Sequence, residues 1–347
     1  MDGLLAEGAP WPAAVAVSGG GDSVALMHLL AAWAKRGRRT APVVLTVDHA
    51  IRPNAGREAR EVVRWATALG LKGHILKWRG PKPSSDIEAE ARNARYRLMG
   101  AWLKRHGLGA LCVGHTRDDQ AETFLLRLAR GSGLDGLAAM RPLAPFPLPD
   151  YRDIALVRPL LALERVAVRD HLEALGQPWL EDPMNTDMRF GRARLRRHRA
   201  TLDDLGLTAS RLADAAGHLS RARDALDAVT VAVLARACRL DGASALVERS
   251  ALTAAPREVG LRALARLLMA VSGHTYRPRF ERLERVLDWL EEGDVAQGCT
   301  LHGCRLGRAP KARAVFGSET VLISREPARR GVNSSHLTRN GHGAAIS

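Results

Sequence analysis

Aromatic side chains and cysteines are scarce in this chain of 347 residues, of which 4% are aromatic. Its four cysteines are Cys112, Cys238, Cys299 and Cys304. Cysteines this few and scattered do not form a disulfide framework, and they indicate reduced thiols, as in a cytosolic protein. Cys299, His302 and Cys304 contain no CxxC pair, so we interpret them as part of a β-hairpin rather than as a zinc site.

Long apolar runs are absent too, since no stretch is long enough to cross a bilayer. The first residues include the acidic Asp2 and Glu7 and no basic cluster, which argues against a signal peptide. We therefore expect a cytoplasmic protein with no membrane partner.

Acidic residues are few relative to basic ones. The chain has 52 lysines and arginines against 37 acids, which gives a net charge of +15 and a pI of about 10.7. A positive field of this size attracts polyanions such as RNA. The length predicts two domains and allows a large buried core without disulfides.

A glycine-rich stretch at residues 14–26 is the most informative part of the sequence. Val15 and Val17 indicate a short buried strand, the glycines a tight turn, and the residues from about Ser23 an amphipathic helix. Free N–H groups at the start of a helix make such a turn an anion-binding site. The candidate phosphate ligands are Ser18, Gly19, Gly20, Gly21, Asp22 and Ser23.

Asp22 indicates that a cation belongs to this site. A carboxylate inside a phosphate-binding turn repels the phosphate unless a cation lies between them, and Mg²⁺ commonly bridges the two. No lysine follows the glycines, and Val24 replaces the third glycine of GxGxxG, so the turn is neither of the two common nucleotide-binding loops. The alternative is a glycine-rich turn in which Asp22 and Ser23 cap a helix.

Strand and helix signals alternate along the first half of the chain. Further strands are predicted at 43–47, 73–78 and 111–113, and helices at 57–69, 86–104 and 118–130. This alternation predicts an α/β fold with a doubly wound parallel sheet covered on both faces. Because ligands of such sheets bind at the carboxyl ends of the strands, polar residues directly after strands are candidates for function.

Asp48, His49 and Arg52 follow the second predicted strand. They are either a second wall of a nucleotide pocket or an Asp turn before a proline-bounded loop, and their spacing favours neither. Arg95 lies next to one of the three tyrosines and is a candidate phosphate clamp. Arg130, at the end of a helix, either reaches a phosphate or is a cation favoured by the helix dipole.

His115, Asp119 and Glu122 follow the fourth predicted strand, where a helix opens. Asp119 and Glu122 are three residues apart, so they share a helix face and can bind Mg²⁺ or an ammonium group. His115 can hydrogen-bond a phosphate or carry a proton. The alternative, acids favoured by the helix dipole, does not account for the Gly-His that precedes them.

A basic run with no acid lies between Met188 and Leu202. Its members are Arg189, Arg192, Arg194, Arg196, Arg197 and Arg199. Like charges at this density repel one another unless a polyanion neutralises them, so we predict a helix that binds an RNA backbone. The alternative is a solvated, exposed helix.

The pattern changes near Leu207, where apolar residues begin to recur at helical spacing. We predict an all-helical segment to about Gly293, followed by a few strands around Leu301, Leu306, Val315 and 321–323. The last residues, 327–347, contain few apolar side chains, which predicts a disordered tail. The expected divisions are therefore 1–206, 207–326 and 327–347.

Residues 12–200 resemble the tRNA(Ile)-lysidine synthetases, which are N-type ATP pyrophosphatases of the PP-loop family. The motifs that carry the resemblance are Ser-Gly-Gly-x-Asp-Ser at 18–23, Asp-His-x-x-Arg at 48–52, Ala-Arg-x-x-Arg-Tyr at 91–96, Gly-His-x-x-Asp-Asp-Gln-Ala-Glu-Thr at 114–123, Arg-Gly-Ser-Gly-Leu-x-Gly-Leu at 130–137, Arg-Pro-Leu-Leu at 158–161 and Glu-Asp-Pro-x-Asn at 181–185. Many ATP pyrophosphatases share the first motif, whereas the later ones are more specific. Ala50 stands where the family usually has Gly, and Met184 where it more often has Ser.

The resemblance implies an adenine nucleotide alpha hydrolase-like fold and a ligase that acts on the wobble cytidine of an isoleucine tRNA with a CAU anticodon. In that reaction the cytidine O2 attacks the α-phosphate of ATP, and the ε-amine of free L-lysine then displaces AMP. The product, lysidine, changes codon reading from AUG to AUA.

The resemblance also implies roles for the candidate residues. Asp22, Asp119 and Glu122 would handle Mg²⁺ and lysine, with Asp22 and Asp119 as metal ligands, and Arg95 and His115 would contact the α-phosphate. ATP would be bound by the loop at 18–23 together with Asp48, His49 and Arg130. The PP-loop catalytic domain would be 1–206, the tRNA-binding domain 207–326, and a homodimer is compatible with the sequence.

Three other functions remain open. A tRNA thiolase shares the PP-loop, but its chemistry needs cysteines near the adenylate, and Cys112 is alone in the first 206 residues. A GMP or NAD synthetase would leave the basic run unexplained. A non-catalytic RNA-binding protein would have no need of Asp22 and Asp119.

Overall fold

The computed structural model describes residues 1–83, 86–181 and 191–327. The chain forms two compact units, Met1–Asp224 and Ala225–Ser347. The predicted tail lies outside the described residues apart from Pro327, and Arg189 lies outside them as well. The predicted division of catalysis and tRNA binding at residue 206 stays a prediction.

The first unit alternates helices and strands. Its helices are α1 (Asp2–Ala6), α2 (Gly21–Arg36), α3 (Ala55–Ala68), α4 (Ile87–Arg105), α5 (Arg117–Leu128), α6 (Leu134–Leu137), α7 (Arg165–Ala174), α8 (Gly191–Arg197), α9 (Arg199–Asp204) and α10 (Ala209–Ala237), the last of which ends in the second unit. Its strands are β1 (Ala14–Ala16), β2 (Val43–Asp48), β3 (Gly73–Lys77), β4 (Ala110–Cys112), β5 (Leu143–Pro145) and β6 (Ala155–Val157).

These six strands form one sheet in the order β3-β2-β1-β4-β6-β5. Their pairing is parallel except between β5 and β6, so the predicted doubly wound parallel sheet is confirmed, with one antiparallel edge strand. The chain runs from β1 outward through β2 to β3 and then returns to β4 on the other side of β1. The neighbouring carboxyl ends of β1 and β4 are therefore the switch point at which such sheets bind ligands.

Alternate residues of the central strands pack on opposite faces of this sheet. Ala14 and Leu45 belong to one buried cluster, and the adjacent Val15 and Val44 belong to the other. Side chains of α4 complete the first cluster, while α2, α3 and α7 complete the second. Each fully buried Leu or Val stabilises the fold by about 1.5–3 kcal/mol, so the loops at the strand ends stand on a well-packed base.

The second unit combines helices with an antiparallel sheet. Its further elements are β7 (Cys238–Asp241), β8 (Ser244–Glu248), α11 (Arg249–Thr253), α12 (Arg257–Ser272), α13 (Phe280–Glu292), β9 (Cys299–Leu301), β10 (Cys304–Arg308) and β11 (Thr320–Arg325). The strand order is β7-β8-β11-β10-β9. Leu264 and Leu268 of α12 are fully buried against strand residues such as Val247, Leu306 and Ile323.

The prediction of helix throughout 207–293 is wrong at 238–248, where β7 and β8 form a hairpin. Gly242 turns the chain there with a φ of +58°, a left-handed conformation that glycine adopts readily. The strands expected around Leu301, Leu306 and 321–323 are confirmed, whereas Val315 lies outside any strand.

Candidate active site

The loop at residues 18–23 joins β1 to α2. The helix begins at Gly21, two residues before the predicted start, with Gly20 as its N-cap residue. Ser23 holds the loop closed, because its Oγ accepts a hydrogen bond from the N–H of Ser18 (3.1 Å) and donates one to the carbonyl of Gly20 (2.8 Å). The first N–H groups of an α-helix have no partner within the helix, so this end of α2 can bind an anion.

Gly19 lets a second segment support the loop. Its φ is +96°, and a Cβ at this position would lie 2.6 Å from Cδ1 of Leu180. The N–H of Leu180 donates to the carbonyl of Gly19 at 2.9 Å. The chain after α7 is therefore tied to the loop, and a side chain at residue 19 would separate them.

Gly114 brings the end of β4 against the same loop. A Cβ at residue 114 would lie 2.8 Å from the backbone oxygen of Asp22 and 3.1 Å from Cα of Ser23. Contacts this short to backbone atoms leave no room for any side chain. The glycine of the Gly-His motif thus allows the start of α5 to approach the start of α2.

Three predicted acids, Asp22, Asp119 and Glu122, meet around the guanidinium of Arg165, the first residue of α7. Nε of Arg165 donates to Oδ2 of Asp22 (3.1 Å), Nη2 to Oδ1 of Asp119 (3.2 Å) and Nη1 to Oε1 of Glu122 (3.1 Å). The side chains of Asp119 and Glu122 are only 8% exposed. Charges in such surroundings are strongly coupled, so the loss of any partner leaves an uncompensated buried charge.

The pKa shifts in this group follow from the burial and the pairing. Burial raises the pKa of Asp22, and the charge of Arg165 opposes that rise. Burial alone would lower the pKa of Arg165, but Glu122, Asp119 and Asp22 together hold it above its ordinary value. Arg165 therefore stays cationic.

Asp119 divides its two carboxylate oxygens between the helix and the site. Its Oδ2 accepts hydrogen bonds from the N–H (2.8 Å) and Oγ1 (3.1 Å) of Thr116, which form a capping box at the start of α5. Its Oδ1 faces Arg165. The capping interpretation therefore accounts for one oxygen of this acid, and binding of Mg²⁺ or an ammonium group by the other stays a prediction.

Three members of the basic run contact acids of this site. Arg196 donates from Nε to Oε1 of Glu122 at 2.7 Å, and Nη1 of Arg192 lies 3.6 Å from Oδ1 of Asp119. Arg199 pairs with Asp118 at 3.3 Å. The run forms two short helices, α8 and α9, rather than one. The sequence predicts that RNA neutralises these arginines, whereas acids of the same chain neutralise three of them.

The other described members of the run, Arg194 and Arg197, have exposed side chains. They lie on α8 but on a different face from Arg192 and Arg196, which are one turn apart. The predicted contact with RNA therefore stays a prediction for these exposed arginines.

His115 lies among cations. Nε of Arg158 donates to its Nδ1 at 3.2 Å, and Nη1 of Arg158 donates to the carbonyl of Arg141 at 2.7 Å. Burial, together with the positive charges of Arg158 and Arg92, lowers the pKa of His115 to about 3. A neutral imidazole that accepts at Nδ1 carries its proton on Nε2, so His115 can donate a hydrogen bond without adding charge.

Asp48 is the last residue of β2 and His49 follows it, and their surroundings differ. Oδ1 of Asp48 accepts a hydrogen bond from the N–H of Ala50 at 2.9 Å. This bond is typical of an Asp turn, which is one of the two interpretations of the sequence. Burial and the charges of Arg95 and Lys82 lower the pKa of His49 to about 4. Burial also lowers the pKa of Arg95. Clustered cations beside two neutral histidines make this side of the site suitable for a polyanion.

Arg130 and Asp119 lie at opposite ends of α5. Arg130 follows the C-terminal end of α5, whereas Asp119 lies at the N-terminal end, and a helix of this length separates them by roughly 15 Å. The dipole interpretation suits this position, and an ATP contact by Arg130 stays a prediction.

Arg165 and Arg158 are the site residues that sequence reasoning missed. Arg158 belongs to the quoted Arg-Pro-Leu-Leu motif, but no local pattern shows that it contacts His115, which lies 43 positions earlier. Arg165 is 143 positions from Asp22. The sequence offers only an indirect signal for Arg165: three acids that converge at the strand ends require a positively charged partner.

The donor set agrees with a bound Mg²⁺ ion. Oδ1 of Asp22 is buried and has no hydrogen-bond partner within the described part of the chain. Among the described residues no group of three His, Cys, Asp or Glu side chains can hold a metal by itself. Mg²⁺ commonly takes one or two carboxylates and completes its coordination with phosphate oxygens and water, so Asp22 and Asp119 suffice for it.

Within the described ranges, no helix is at once long and apolar enough to cross a membrane. Residues 5–201 match the PP-loop domain family. A tRNA(Ile)-lysidine synthase of Methylobacterium nodulans is 41% identical over 339 residues, which cover 95% of each chain. One from Ruegeria pomeroyi is 42% identical over 291 residues, 83% of this chain and 68% of that protein.

Among solved structures, the U34-tRNA thiolase NcsA from Methanococcus maripaludis with its [4Fe-4S] cluster is similar over 60% of this chain and 72% of that chain, with 15% identity and a TM-score of 0.49. The assignment depends on the match of residues 5–201 to the PP-loop domain family and on the relative that aligns over 95% of each chain. The chain belongs to the PP-loop proteins and, within them, to the tRNA(Ile)-lysidine synthase family.

Proposed function

We propose that this protein is an ATP-dependent ligase that joins free L-lysine to C2 of the wobble cytidine in a CAU-anticodon isoleucine tRNA. The observation that carries the proposal is the meeting of a phosphate-binding helix start with three acids, Asp22, Asp119 and Glu122, at one edge of the sheet. One half of this site suits the phosphates of ATP, and the other suits the cations of the reaction.

In the first step the cytidine O2 attacks the α-phosphate of ATP and pyrophosphate leaves. The N–H groups at the start of α2 receive the departing pyrophosphate. Arg95 and His115 lie on the cationic side and contact the α-phosphate. Because Arg158 fixes the proton of His115 on Nε2, the imidazole donates a hydrogen bond to a phosphate oxygen as charge builds up there.

Asp22 and Asp119 would hold Mg²⁺ together with phosphate oxygens, and the ion would supply positive charge that stabilises the departing pyrophosphate. Oδ1 of Asp22, which has no hydrogen-bond partner among the described residues, supports this assignment.

In the second step the ε-amine of lysine attacks C2 of the cytidine, the C2–O2 bond breaks and AMP leaves with O2. The ammonium group of lysine must first lose a proton, and Glu122 is the carboxylate that we assign to receive it. A guanidinium already lies 2.7 Å from Glu122, which supports a cation site at this position.

The exposed arginines of α8 and the net charge of +15 support binding of the tRNA backbone. We place the reaction in the cytoplasm. A homodimer stays a prediction for sedimentation measurements to test.

A thiolase of the PP-loop family is disfavoured by the state of Cys112. Its side chain is fully buried in β4, and burial raises its pKa to about 12. A thiol in that condition forms no thiolate at neutral pH and does not react with an adenylate.

The test is mass spectrometry of tRNA nucleosides after incubation with ATP, Mg²⁺ and lysine. We expect lysidine together with equal amounts of AMP and pyrophosphate, and no product when lysine is omitted. Asp22→Asn is expected to abolish AMP formation and leave tRNA affinity nearly unchanged. Formation of ADP, or a thiolated nucleoside when a sulfur donor is supplied, would overturn the proposal.

A further inference from the structure

The second unit carries three aromatic rings in contact at its surface. His274 and Tyr276 lie in the loop between α12 and α13, and His302 lies in the turn between β9 and β10. The rings of His274 and Tyr276 are stacked, with centroids 5.2 Å apart and planes 12° apart. The ring of His302 stands perpendicular to both, at 4.6 Å from His274 and 4.9 Å from Tyr276.

Backbone geometry fixes this arrangement. Gly273 ends α12 in the left-handed conformation, with a φ of +79°, and so turns the chain toward His274. His302 and Gly303 form a two-residue hairpin turn in which both φ values are positive, +58° and +72°. A residue with a Cβ adopts this conformation reluctantly, so the turn holds His302 in place against a backbone preference.

The rings are not part of the core. Tyr276 remains 63% exposed and the neighbouring Phe280 58% exposed, although few aromatic side chains occur in the chain. The core next to them is closed by Cys304, whose Sγ donates to the carbonyl of Leu268. Because Tyr276 stacks on His274 and still exposes most of its surface, ring area remains for a ligand.

Arginines are frequent in the segments that carry the rings or adjoin them. The segments 273–282, 302–308 and 325–326 contain six arginines and two glutamates, Glu281 and Glu326. Nε of Arg325 donates to the carbonyl of Val271 at 2.8 Å, and its Nη2 would lie 3.1 Å from a Cβ at residue 273. This places a guanidinium beside the loop that carries the stacked rings.

We propose that His274, Tyr276 and His302 form a stacking platform for an unpaired base of the tRNA, with Arg325 at its edge for a flanking phosphate. Flat aromatic rings next to cations are how proteins bind single-stranded nucleic acid, because a base stacks on the ring while its phosphate pairs with the cation. This inference rests on the proposed function only in naming tRNA as the RNA that binds.

A metal site is the other use of two histidines near a cysteine. Among the described residues no group of three His, Cys, Asp or Glu side chains can hold a metal, and Sγ of Cys304 is turned to a backbone carbonyl. Stacking is therefore the chemistry that the rings offer.

The test measures binding of the full chain to isoleucine tRNA over a series of salt concentrations. Tyr276→Ala is expected to weaken binding about tenfold or more and to leave the slope of log affinity against log salt unchanged, because stacking releases no counter-ions. Tyr276→Phe is expected to bind as wild type, since it keeps the ring. Arg325→Ala is expected to reduce the slope by about 0.7–0.9, as one lost phosphate contact does.

A short unpaired RNA is expected to compete with the tRNA for wild-type protein, and a fully paired duplex of the same length is not. Phe280→Ala serves as a matched control, because Phe280 is exposed in the same region without joining the three rings. Binding by Tyr276→Ala within twofold of wild type would overturn the platform, as would equal competition by duplex. AMP formation by the wild-type protein with tRNA, ATP and lysine tests the proposed reaction by itself, so failure of the platform and failure of the reaction give different results.

Discussion

At the scale of single residues, backbone conformation explains a departure from the family pattern. Ala50 has a φ of +50°, a left-handed conformation that costs a residue with a Cβ roughly 1–2 kcal/mol. The family usually has glycine at this position. In this chain the N–H of Ala50 donates a hydrogen bond to Asp48, and this bond fixes the turn. The turn is thus formed although the Cβ of Ala50 disfavours its backbone conformation.

Ala50→Gly is expected to raise the free energy of unfolding by about 1 kcal/mol, because glycine adopts a positive φ without strain. Urea unfolding measures the change. The matched control, Ala32→Gly on the exposed side of α2, is expected to lower stability by about 1 kcal/mol. A loss of stability in both variants would contradict the strain argument.

Gly114→Ala is expected to reduce AMP formation at least tenfold, since a methyl group 2.8 Å from the backbone oxygen of Asp22 must push α5 and α2 apart. Single-turnover assays with tRNA report the rate, and filter binding reports tRNA affinity, which we expect to stay close to wild type. Gly133→Ala is the control, because a Cβ at Gly133 meets no atom within 4 Å. Equal rates in the two variants would refute the role of the close approach.

His115 makes stability depend on pH. Its pKa in the folded protein is about 3, below the ordinary value of 6.5, so between these pH values only the unfolded chain takes up the proton. The folded state is therefore destabilised as pH falls below 6.5, by up to about 1.4 kcal/mol per pH unit. His115→Asn is expected to flatten the decline in urea midpoints between pH 7 and pH 5. His198→Asn, at an exposed residue, is the control, and an identical decline in both variants would count against the assignment.

At the scale of elements, the local sequence pattern predicts those strands, turns and helices that are determined by residues close together in the chain. The strand, glycine turn and helix at 14–26 follow from residues close together, and so do the strands β2 to β4. Helical spacing on both sides of the β7–β8 hairpin predicts helix across it, although Asp241-Gly242 is a turn signal. The pairing of Arg165 with Asp22 joins distant elements, and no local pattern contains it.

The two faces of α8 are expected to behave differently. Arg197→Ala is expected to reduce the salt slope of tRNA binding by about 0.7–0.9, as expected for one lost phosphate contact. Arg196→Ala is expected to leave that slope nearly unchanged and to lower the rate of lysidine formation, because Arg196 pairs with the buried Glu122. Titrations at several salt concentrations separate the two effects. If Arg196→Ala changed the slope as much as Arg197→Ala, both arginines would belong to the RNA surface.

At the scale of the whole molecule, the chain is divided into two units with separate buried clusters. Length and composition predict two domains, and the basic excess predicts a polyanionic partner. Neither reveals how much of the positive charge is neutralised by acids within the chain, as by Glu122 and Asp118, since that depends on which side chains face one another.

Calorimetry is expected to resolve two unfolding transitions, because each unit has its own core. ATP with Mg²⁺ at 100 times its dissociation constant is expected to stabilise only the transition of the first unit, by about 2.7 kcal/mol. EDTA is expected to remove most of that gain. A single transition, or an equal shift of two, would show that the units unfold together.

The burial of Cys112 has a consequence for how the enzyme tolerates oxidants. A thiol that is closed off inside a central strand and stays protonated reacts slowly with peroxide and with alkylating reagents. Because the described portion of the first unit contains no other thiol, we expect its chemistry to continue in the presence of oxidants. Lysidine formation would then be protected under conditions in which many thiol-dependent enzymes lose activity.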